Sequence, residues 1–353
     1  MKKERSGRGI AAAIAGWFEA SAREMPWRTR VRDPYVSLVS EFMLQQTQVS
    51  RVLEKFGPFV ARFPTVQKLA AASEDDVLGL WSGMGYYRRA KNLHAAARVV
   101  VERFGGRVPD RVEALLELPG VGRYTAGAIA SMVFGKAEPI VDGNVARVLM
   151  RIEGKDFAHG SAEGMAWAWE RAEGLVAEAG VDRVRVASVN EGLMELGALV
   201  CTPKGPRCGE CPVKGMCVAA AEERQDEIPR PKARVKKSRV YCEVVVVKDG
   251  RGRVLVERRG DDGMWAGLWQ APTWERAKAA RAREVADWIG GEVVLRERFE
   301  HQTTHREVRF AVWEAEGIGD GKGRVFRSLA QIGKLGISNP QRRALMQIEV
   351  SAC

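Results

Sequence analysis

The sequence has no apolar run long enough to cross a membrane. The run between residues 10 and 18 is mostly Ala and falls well short of the roughly 20 apolar residues that a spanning helix needs. It predicts an amphipathic first helix rather than a secretory signal. Because no other stretch approaches transmembrane length, we expect no membrane contact and a cytoplasmic location.

The chain has fewer acidic residues than basic ones. The chain has 45 Asp and Glu against 56 Lys and Arg, which gives a formal net charge of +11. Such a balance keeps a protein soluble and attracts polyanions, of which nucleic acid is the commonest. The charge therefore favours a nucleic-acid partner without identifying one.

A disulfide framework is also missing, because the six cysteines are not spread along the chain. Four of them lie in one loop-rich stretch, at Cys201, Cys208, Cys211 and Cys217. Four thiols so close together indicate a metal site. Zinc is one candidate, although zinc ribbons usually have two C-x2-C pairs and this loop has one.

The chain of 353 residues exceeds one comfortable domain and has no internal repeat. Apolar residues recur at three- and four-residue spacing through the first two thirds, which predicts a helical region over 1–222. A basic, proline-containing stretch over 223–240 is typical of an exposed linker. Strand-like runs follow and predict a separate α+β domain over 241–353.

The predicted C-terminal domain begins with two strand-like runs, YCEVVVV and RVLVERR, on either side of KDGRG. Asp249 and Gly250 at the centre of that segment are a hairpin signal. A helix is expected from about residue 275 to 289, followed by a strand in EVRFAVWEAE.

The string LPGVG at 118–122 connects two predicted helices and holds two glycines within three residues. Gly120 and Gly122 let the chain curl without a Cβ, so that backbone N–H groups point outward at the start of the next helix. Such a helix start readily binds a phosphate oxygen. A plain helix–helix connection explains the turn equally well at this level.

The string SEFMLQQTQV at 40–49 places Glu41 and Gln45 one helical turn apart on one face. Alone it would describe a polar surface patch. Together with LPGVG and with MPWR, GMGYYRRAKNLH and VDGNV, in matching order, it resembles the adenine DNA glycosylases, the MutY family of the helix-hairpin-helix superfamily. The resemblance implies an all-α helix-hairpin-helix glycosylase core and a multidomain chain.

The resemblance also implies which residues carry the chemistry. Breaking an N-glycosidic bond develops positive charge on the sugar and negative charge on the leaving base. Glu41 is assigned as the proton donor to adenine and Asp142 as the carboxylate that stabilises the sugar, with Tyr124 and Asn144 as their polar partners. Since a Glu at its reference pKa of ~4.3 is ionised near neutrality, we expect a dry pocket that raises the pKa of Glu41.

Adenine cannot be reached inside a duplex, so the base must be flipped out of the stack. By resemblance, the receiving pocket contains Trp27, Arg28 and Glu191. The same resemblance assigns DNA contacts near the lesion to Gln46 and Tyr86 as wedges in the base stack, Thr47 and Met84 beside them, and the hairpin glycines Gly120 and Gly122.

Tyr124 separates two classes of reaction. In relatives that also cleave the DNA backbone, this position holds a Lys that forms a Schiff base with the sugar. A Tyr at this position therefore implies base removal with little or no strand cleavage.

The spacing Cys201-x6-Cys208-x2-Cys211-x5-Cys217 resembles that of the [4Fe–4S] loop in these glycosylases and in endonuclease III relatives. The resemblance implies a structural cluster that orders a basic loop for contact with phosphates. Zinc stays the competing metal.

The C-terminal third resembles a Nudix-like domain. A working Nudix hydrolase needs a cluster of Glu on its helix, but REVADW places Asp287 and Trp288 where Glu is expected, so we expect recognition rather than pyrophosphate hydrolysis. In the family an H-x-F-S-H loop recognises 8-oxoguanine. The loop HQTTH at 301–305 keeps both His, offers Thr304 and His305 as lesion contacts, and has Thr303 in place of the aromatic residue.

The resemblance as a whole implies a monofunctional adenine DNA glycosylase. It would act as a monomer on double-stranded DNA that contains adenine opposite 8-oxoguanine or guanine, in the nucleoid of the bacterial cytoplasm. One alternative is an endonuclease III-like glycosylase and AP lyase, against which Tyr124 argues. Another is a non-catalytic DNA-binding protein with a redox-sensing cluster, which would not need both Glu41 and Asp142.

Overall fold

The computed structural model describes residues 7–180, 183–231, 237–316, 318, 321 and 323–346. The chain divides into two compact units. The first unit comprises residues 1–70 and 95–233, and the second comprises residues 71–94 and 234–353. Residues 71–94, which the sequence assigns to the helical region, thus group with the C-terminal residues, and residues 232–236 of the predicted linker lie outside the described part.

Residues 7–180 and 183–221 form helices and the connections between them, as the all-α prediction requires. In chain order the helices are α1 (Gly7–Ser21), α2 (Pro34–Leu44), α3 (Val49–Arg62), α4 (Val66–Ala70), α5 (Glu74–Trp81), α6 (Arg88–Phe104), α7 (Val112–Leu116), α8 (Arg123–Met132), α9 (Gly143–Glu153), α10 (Ala162–Ala179), α11 (Arg183–Leu199) and α12 (Val218–Ala221). Two 3-10 turns, Cys208–Glu210 and Lys214–Met216, precede α12. None of the helices that the structure describes is long and apolar enough to cross a membrane.

One apolar core of the first unit joins α1, α9, α10 and α11. Ile14, Leu149 and Leu193 are among its fully buried members. The predicted amphipathic first helix is confirmed, since its apolar residues lie in this core. Helix α8 packs against both α2 and α11, and α11 also packs against α9. The four helices that carry the sequence motifs therefore lie together.

The described residues of the second unit form the strands β1 (Ser238–Val247), β2 (Val254–Arg258), β3 (Trp269–Gln270), β4 (Thr273–Arg276), β5 (Val293–Gln302), β6 (Arg306–Ala315) and β7 (Arg324–Arg327). They form a four-stranded sheet in the order β4-β1-β6-β5, with β1 parallel to β6, and a three-stranded sheet in the order β3-β2-β7. Helices α13 (Ala282–Ile289), α14 (Leu329–Ile332) and α15 (Asn339–Met346) complete the unit. Alternate residues of β1 enter two apolar cores, as expected for a strand covered on both faces.

Two local predictions for this unit are wrong. Strands β1 and β2 flank the Asp249 turn but enter different sheets, and a single bridge between Lys248 and Val254 links them. The predicted helix start is also too early, because residues from Thr273 to Arg276 form β4, which pairs with β1. Turn residues and hydrophobic periodicity indicate local geometry. They do not indicate which sheet a strand joins.

Residues 71–94 contact the C-terminal residues within the second unit. Tyr87 Oη donates to the carbonyl oxygen of Ile337 (2.7 Å), and Arg342 Nη2 donates to Ser82 Oγ (2.7 Å). A Cβ on Gly79 would lie 2.2 Å from the carbonyl oxygen of Lys334, so this approach requires glycine.

Candidate active site

Glu41 lies near the end of α2, a helix whose middle is buried. Asp33 caps the helix by accepting a hydrogen bond from the backbone N–H of Val36 (2.8 Å). The Glu41 side chain is buried, with 6% exposure. Burial raises the pKa of Glu41 to about 7; the charges of Glu191 and Asp142 also raise it, and Arg32 lowers it. This environment suits a general acid, a role that stays a prediction.

Asp142 is the N-cap of α9. Its Oδ1 accepts a hydrogen bond from Val145 N (2.8 Å) and its Oδ2 accepts one from Asn144 Nδ2 (3.2 Å). Asn144 in turn accepts from Arg147 Nη2 (2.9 Å). A Cβ on Gly197 would lie 2.8 Å from the Asn144 Cβ, so a glycine lets α11 approach here. The Asp142 carboxylate is thus held in one position at the positive end of a helix.

Tyr124 is the second residue of α8 and lies in the field of three carboxylates. Its pKa is raised well above the ordinary value by burial first, and then by Glu41, Asp142 and Glu191. The phenol Oη donates to the sulfur of Met194 (3.0 Å). The structure therefore brings the two predicted catalytic carboxylates and Tyr124 together, and the phenol remains a proton donor at neutral pH.

Five charged residues form an ion-pair ladder beside this site. Arg28 Nε donates to Glu191 Oε1 (2.9 Å) and Arg32 Nη2 donates to Glu191 Oε2 (2.7 Å). One turn along α11, Glu195 accepts from Arg23 Nη2 (3.0 Å) and pairs with Arg28 Nη2 (3.4 Å). Both Glu side chains are buried, so the Arg partners compensate charges that would be costly alone. Two predicted pocket residues, Arg28 and Glu191, thus bind each other.

Trp27, the third predicted pocket residue, is buried and packs edge to face on Phe56 of α3, with ring centroids 5.0 Å apart. This packing fixes the indole from the α3 side. Its role as a wall of the adenine pocket stays a prediction.

The turn before α8 uses its two glycines differently. Gly120 has φ +77°, in the left-handed region that favours glycine. Gly122, the N-cap of α8, is extended at φ −99°, and a Cβ there would meet nothing within 4 Å. The expectation that both glycines are needed to curl the chain is therefore wrong for Gly122. Within the described residues no side chain caps α8, so its first N–H groups are free of a cap.

Two predicted wedge residues share an unusual backbone conformation. Gln46, just after α2, is exposed and has φ +54°, and Tyr86 is 49% exposed with φ +49°. Thr47 beside Gln46 is half-buried, and Met84 beside Tyr86 is buried. A non-glycine residue in the left-handed region is sparse and concentrates at functional sites.

The loop at 301–305 joins β5 to β6 in the second unit. Thr303 Oγ1 accepts from the backbone N–H of Arg306 (3.0 Å), so this hydroxyl closes the turn. Thr304 and His305 are exposed, and the Thr304 hydroxyl lies 3.4 Å from the Tyr86 hydroxyl. Two predicted lesion contacts that are 218 residues apart in sequence are therefore neighbours.

The four cysteines of the predicted metal loop line one cavity of about 400 Å³, which includes space open to solvent: Cys201, Cys208, Cys211 and Cys217. Arg151 Nη1 lies 3.4 Å from Cys201 Sγ, and backbone N–H groups of Val213 and Ala220 face the sulfurs of the third and fourth cysteines. None of the described cysteines forms a disulfide, and the described ranges contain no group of three or more His, Cys, Asp or Glu residues that could hold a metal ion as arranged. These four thiols, with N–H donors around them, are the residues that could hold the predicted cluster.

Two family models match the chain. Residues 39–171 match the HhH-GPD superfamily of base excision DNA repair proteins, and residues 243–347 match the NUDIX domain. An adenine DNA glycosylase from Buchnera aphidicola of Schizaphis graminum is 34% identical over 269 residues, which cover 74% of this chain and 74% of that protein. The chain belongs to the adenine DNA glycosylase family. The family and the fold class predicted from the motifs are therefore confirmed.

Other relatives extend the comparison. The human adenine DNA glycosylase is 36% identical over 337 residues, covering 79% of this chain, and the match spans 61% of the human protein's length. The solved structure of a thermostable thymine-DNA glycosylase aligns with a TM-score of 0.55 at 31% identity, covering 61% of this chain and 97% of that one. This adenine DNA glycosylase family member thus shares the fold of 61% of its chain with a glycosylase named for another base.

The sequence motifs missed three members of the ion-pair ladder: Arg23, Arg32 and Glu195. A signal existed for Glu195, because it follows Glu191 by one helical turn and shares its face. Arg32 lies outside the helices and is 159 residues from its partner Glu191, so no local pattern indicates that pair.

Proposed function

We propose that this protein is a DNA glycosylase that hydrolyses the N-glycosidic bond of adenine mispaired with 8-oxoguanine or guanine, with little or no strand cleavage. The observation that carries the proposal is Glu41, a buried acid with a pKa of about 7 beside Asp142 and Tyr124. Membership of the adenine DNA glycosylase family supports the same reaction. The substrate is DNA, so the protein would work at the chromosome in the bacterial cytoplasm.

Glu41 protonates the flipped adenine. Because its pKa is about 7, it holds a proton in a large fraction of molecules at neutral pH and gives that proton up readily. As the C1′–N9 bond breaks, its electron pair leaves with the base, which the proton from Glu41 neutralises. General acid catalysis of this kind contributes roughly 10²–10⁴-fold.

Asp142 stabilises the positive charge that remains on the sugar. Its carboxylate is held by Val145 N–H and the Asn144 amide, so it needs no reorganisation when the charge develops. Water then adds to C1′, and the proton that it loses restores the acid form of Glu41. The products are free adenine and an abasic sugar, with the phosphodiester backbone intact.

The pocket reads adenine through Arg28 and Glu191, whose side chains are fixed by each other and by the ladder. Preorganised polar groups recognise a base edge at little entropic cost. Trp27, anchored on Phe56, offers an apolar wall.

Backbone geometry supports the proposed DNA contacts. The uncapped N-terminus of α8 supplies N–H groups for a phosphate, and the open space at the Gly122 Cα leaves room for that phosphate. Gln46 and Tyr86 present side chains from strained, exposed positions that suit insertion next to a flipped base. Thr304 and His305 would read 8-oxoguanine on the opposite strand.

Strand cleavage by a Schiff-base route needs a primary amine at the sugar. Tyr124 offers a phenol whose pKa is raised, so it neither forms an imine nor ionises at neutral pH. This supports base release without backbone cleavage.

A [4Fe–4S] cluster held by the four cysteines is the metal group that the donor set supports. Four Cys ligands would leave no iron of the cluster open to a substrate. The cluster would therefore have a structural role and would order the loop that follows α11, with ligands at Cys201, Cys208, Cys211 and Cys217. Iron and acid-labile sulfide analysis of the purified protein, with zinc measured alongside, decides between this cluster and zinc.

A panel of duplexes tests the activity. Adenine opposite 8-oxoguanine, guanine and thymine, thymine opposite guanine, and thymine glycol opposite adenine are each incubated with the protein, and strand breaks are compared with and without alkali. We expect breaks only on the mispaired adenine strand and only after alkali.

Other outcomes assign the protein elsewhere. Breaks without alkali at thymine glycol would indicate an endonuclease III-like lyase, and thymine release opposite guanine would indicate a thymine-DNA glycosylase. Mispair binding with no base release would indicate a non-catalytic DNA-binding protein. Asp142→Asn should bind the mispair without releasing adenine, and release at the wild-type rate would contradict the role of Asp142.

A further inference from the structure

Arg32 lies directly before Asp33, the cap of the helix that carries Glu41. Its Nη2 donates to Glu191 Oε2 at 2.7 Å, and its side chain is only 13% exposed. Arg28 Nε binds the other oxygen, Oε1, at 2.9 Å. The buried Glu191 carboxylate therefore has a guanidinium on each oxygen, and two hydrogen bonds of this kind fix its plane as well as its position.

The charges that act on Glu41 come from several elements. Glu191 on α11 and Asp142 at the start of α9 are negative, and the phenol of Tyr124 on α8 is neutral. Arg32 is the cation whose charge acts on Glu41 within the described part of the chain. It thus opposes two negative charges at the proposed proton donor.

We propose that Arg32 is a positioning residue for base excision: it holds Glu191 from the second oxygen and offsets the negative charge that Glu191 places beside Glu41. The inference rests on the proposed function. Arg32 touches neither the sugar nor the leaving atom in this role and acts through the two glutamates.

The two parts of the role have different consequences. Without the Arg32 hydrogen bond, Glu191 can rotate about its remaining contact with Arg28, and the pocket loses a fixed acceptor for adenine. Without the Arg32 charge, Glu191 repels the ionised form of Glu41 more strongly, so the pKa of Glu41 rises further. A misplaced group lowers the rate at every pH, whereas a charge effect moves the pH at which the rate falls.

The test is the pH dependence of single-turnover adenine release from an A:8-oxoguanine duplex, between about pH 5 and 9. Arg32→Met keeps much of the side-chain length without the charge, and Arg32→Gln serves if the Met variant does not fold. We expect the alkaline midpoint to move up by about 0.5–1 pH unit and the plateau rate to fall by roughly tenfold or more. Affinity for the mispaired duplex should stay at the wild-type value.

Arg32→Lys keeps the charge and should restore the midpoint while leaving the plateau reduced, since a Lys cannot reproduce the guanidinium geometry. Arg171→Met is the matched control, because Arg171 is 19% exposed, pairs with Glu153 and Glu178, and is not among the charges that act on Glu41. An unmoved midpoint in Arg32→Met, a Lys variant that behaves like Met, or an equal shift in Arg171→Met contradicts the inference. No adenine release by the wild-type protein would instead overturn the proposed function.

Discussion

Each unit of the molecule buries a glutamate, and the two side chains have opposite surroundings. In the first unit Glu41 is 6% exposed, and burial together with the charges of Glu191 and Asp142 raises its pKa to about 7. In the second unit Glu243 on β1 is 2% exposed, and both of its oxygens are bound. Ala280 N donates to Oε1 at 2.7 Å, and Trp313 Nε1 donates to Oε2 at 2.9 Å.

The two glutamates show that the burial of a carboxyl group and the compensation of its charge are separate effects. The Glu243 carboxyl group accepts two N–H bonds and thereby joins parts of the sheet unit. A buried carboxyl that faces other carboxylates keeps its proton to higher pH. The first arrangement stabilises the fold. The second raises the pKa of a carboxyl group, so that the group can serve as an acid near neutral pH.

Glu41→Gln should break the proposed active site and leave the fold intact. Removal of the proton donor should lower single-turnover adenine release by about 10²–10⁴-fold, while affinity for the mispaired duplex is kept. Glu243→Gln is the matched control, since it removes an equally buried carboxylate from the other unit and should leave the rate unchanged. Equal losses of the adenine-release rate in both variants would show that the substitutions act through folding and not through the proposed active site.

The three residues that the sequence assigned to the chemistry, whose roles stay predictions, share a local signature. Glu41, Asp142 and Tyr124 each lie within a distinctive string at the end or start of a helix, so the string indicates both the residue and its place. Their convergence needs only that three helices meet. Packing of α8 on α2 and α11, together with packing of α11 on α9, provides this.

The features that the sequence missed depend on contacts between distant segments. Arg32 pairs with Glu191 across 159 residues, and the grouping of residues 71–94 with the C-terminal residues rests on close approaches such as that of Gly79 to Lys334. Strands β1 and β2 entered separate sheets although the turn between them is short. Such pairings are set by the packing of whole elements, which no local pattern encodes.

The stability of Glu41→Gln should exceed that of the wild type at high pH. Because folding raises the pKa of Glu41 from 4.5 to about 7, wild-type stability from this group is fully present below pH 4.5 and is lost as the pH rises through about 7. The Gln variant has no such dependence. Its gain in the free energy of unfolding should grow from near zero at low pH to about 3 kcal/mol above neutrality.

Urea unfolding of both proteins at acid and alkaline pH measures this difference. A difference that stays constant across the range would mean that Glu41 has the same pKa folded and unfolded. The comparison with Glu243 would then rest on hydrogen bonds alone.

The rate of adenine release by the wild-type protein should depend on the same titration of Glu41. Adenine release should be level below about pH 6 and should fall about tenfold per pH unit above the pKa of Glu41, which is about 7. Single-turnover rates across the range, with mispair affinity measured at each pH, separate this fall from weaker binding. A rate that stays level to about pH 9 would contradict Glu41 as the acid.

Glu243→Gln should lower stability without changing the pH profile of adenine release. The Gln oxygen can accept one of the two N–H bonds, but its NH₂ group faces the other donor, so either Ala280 N or Trp313 Nε1 loses its partner inside the sheet unit. An unsatisfied buried donor costs about 1–3 kcal/mol. Glu300→Gln is the control, because the Glu300 side chain is 55% exposed and its pair with Arg309 should contribute at most about 1 kcal/mol. If Glu243→Gln were as stable as the control, the two donors would be finding other partners, and the hydrogen bonds of Glu243 would not explain why two similarly buried glutamates differ in chemistry.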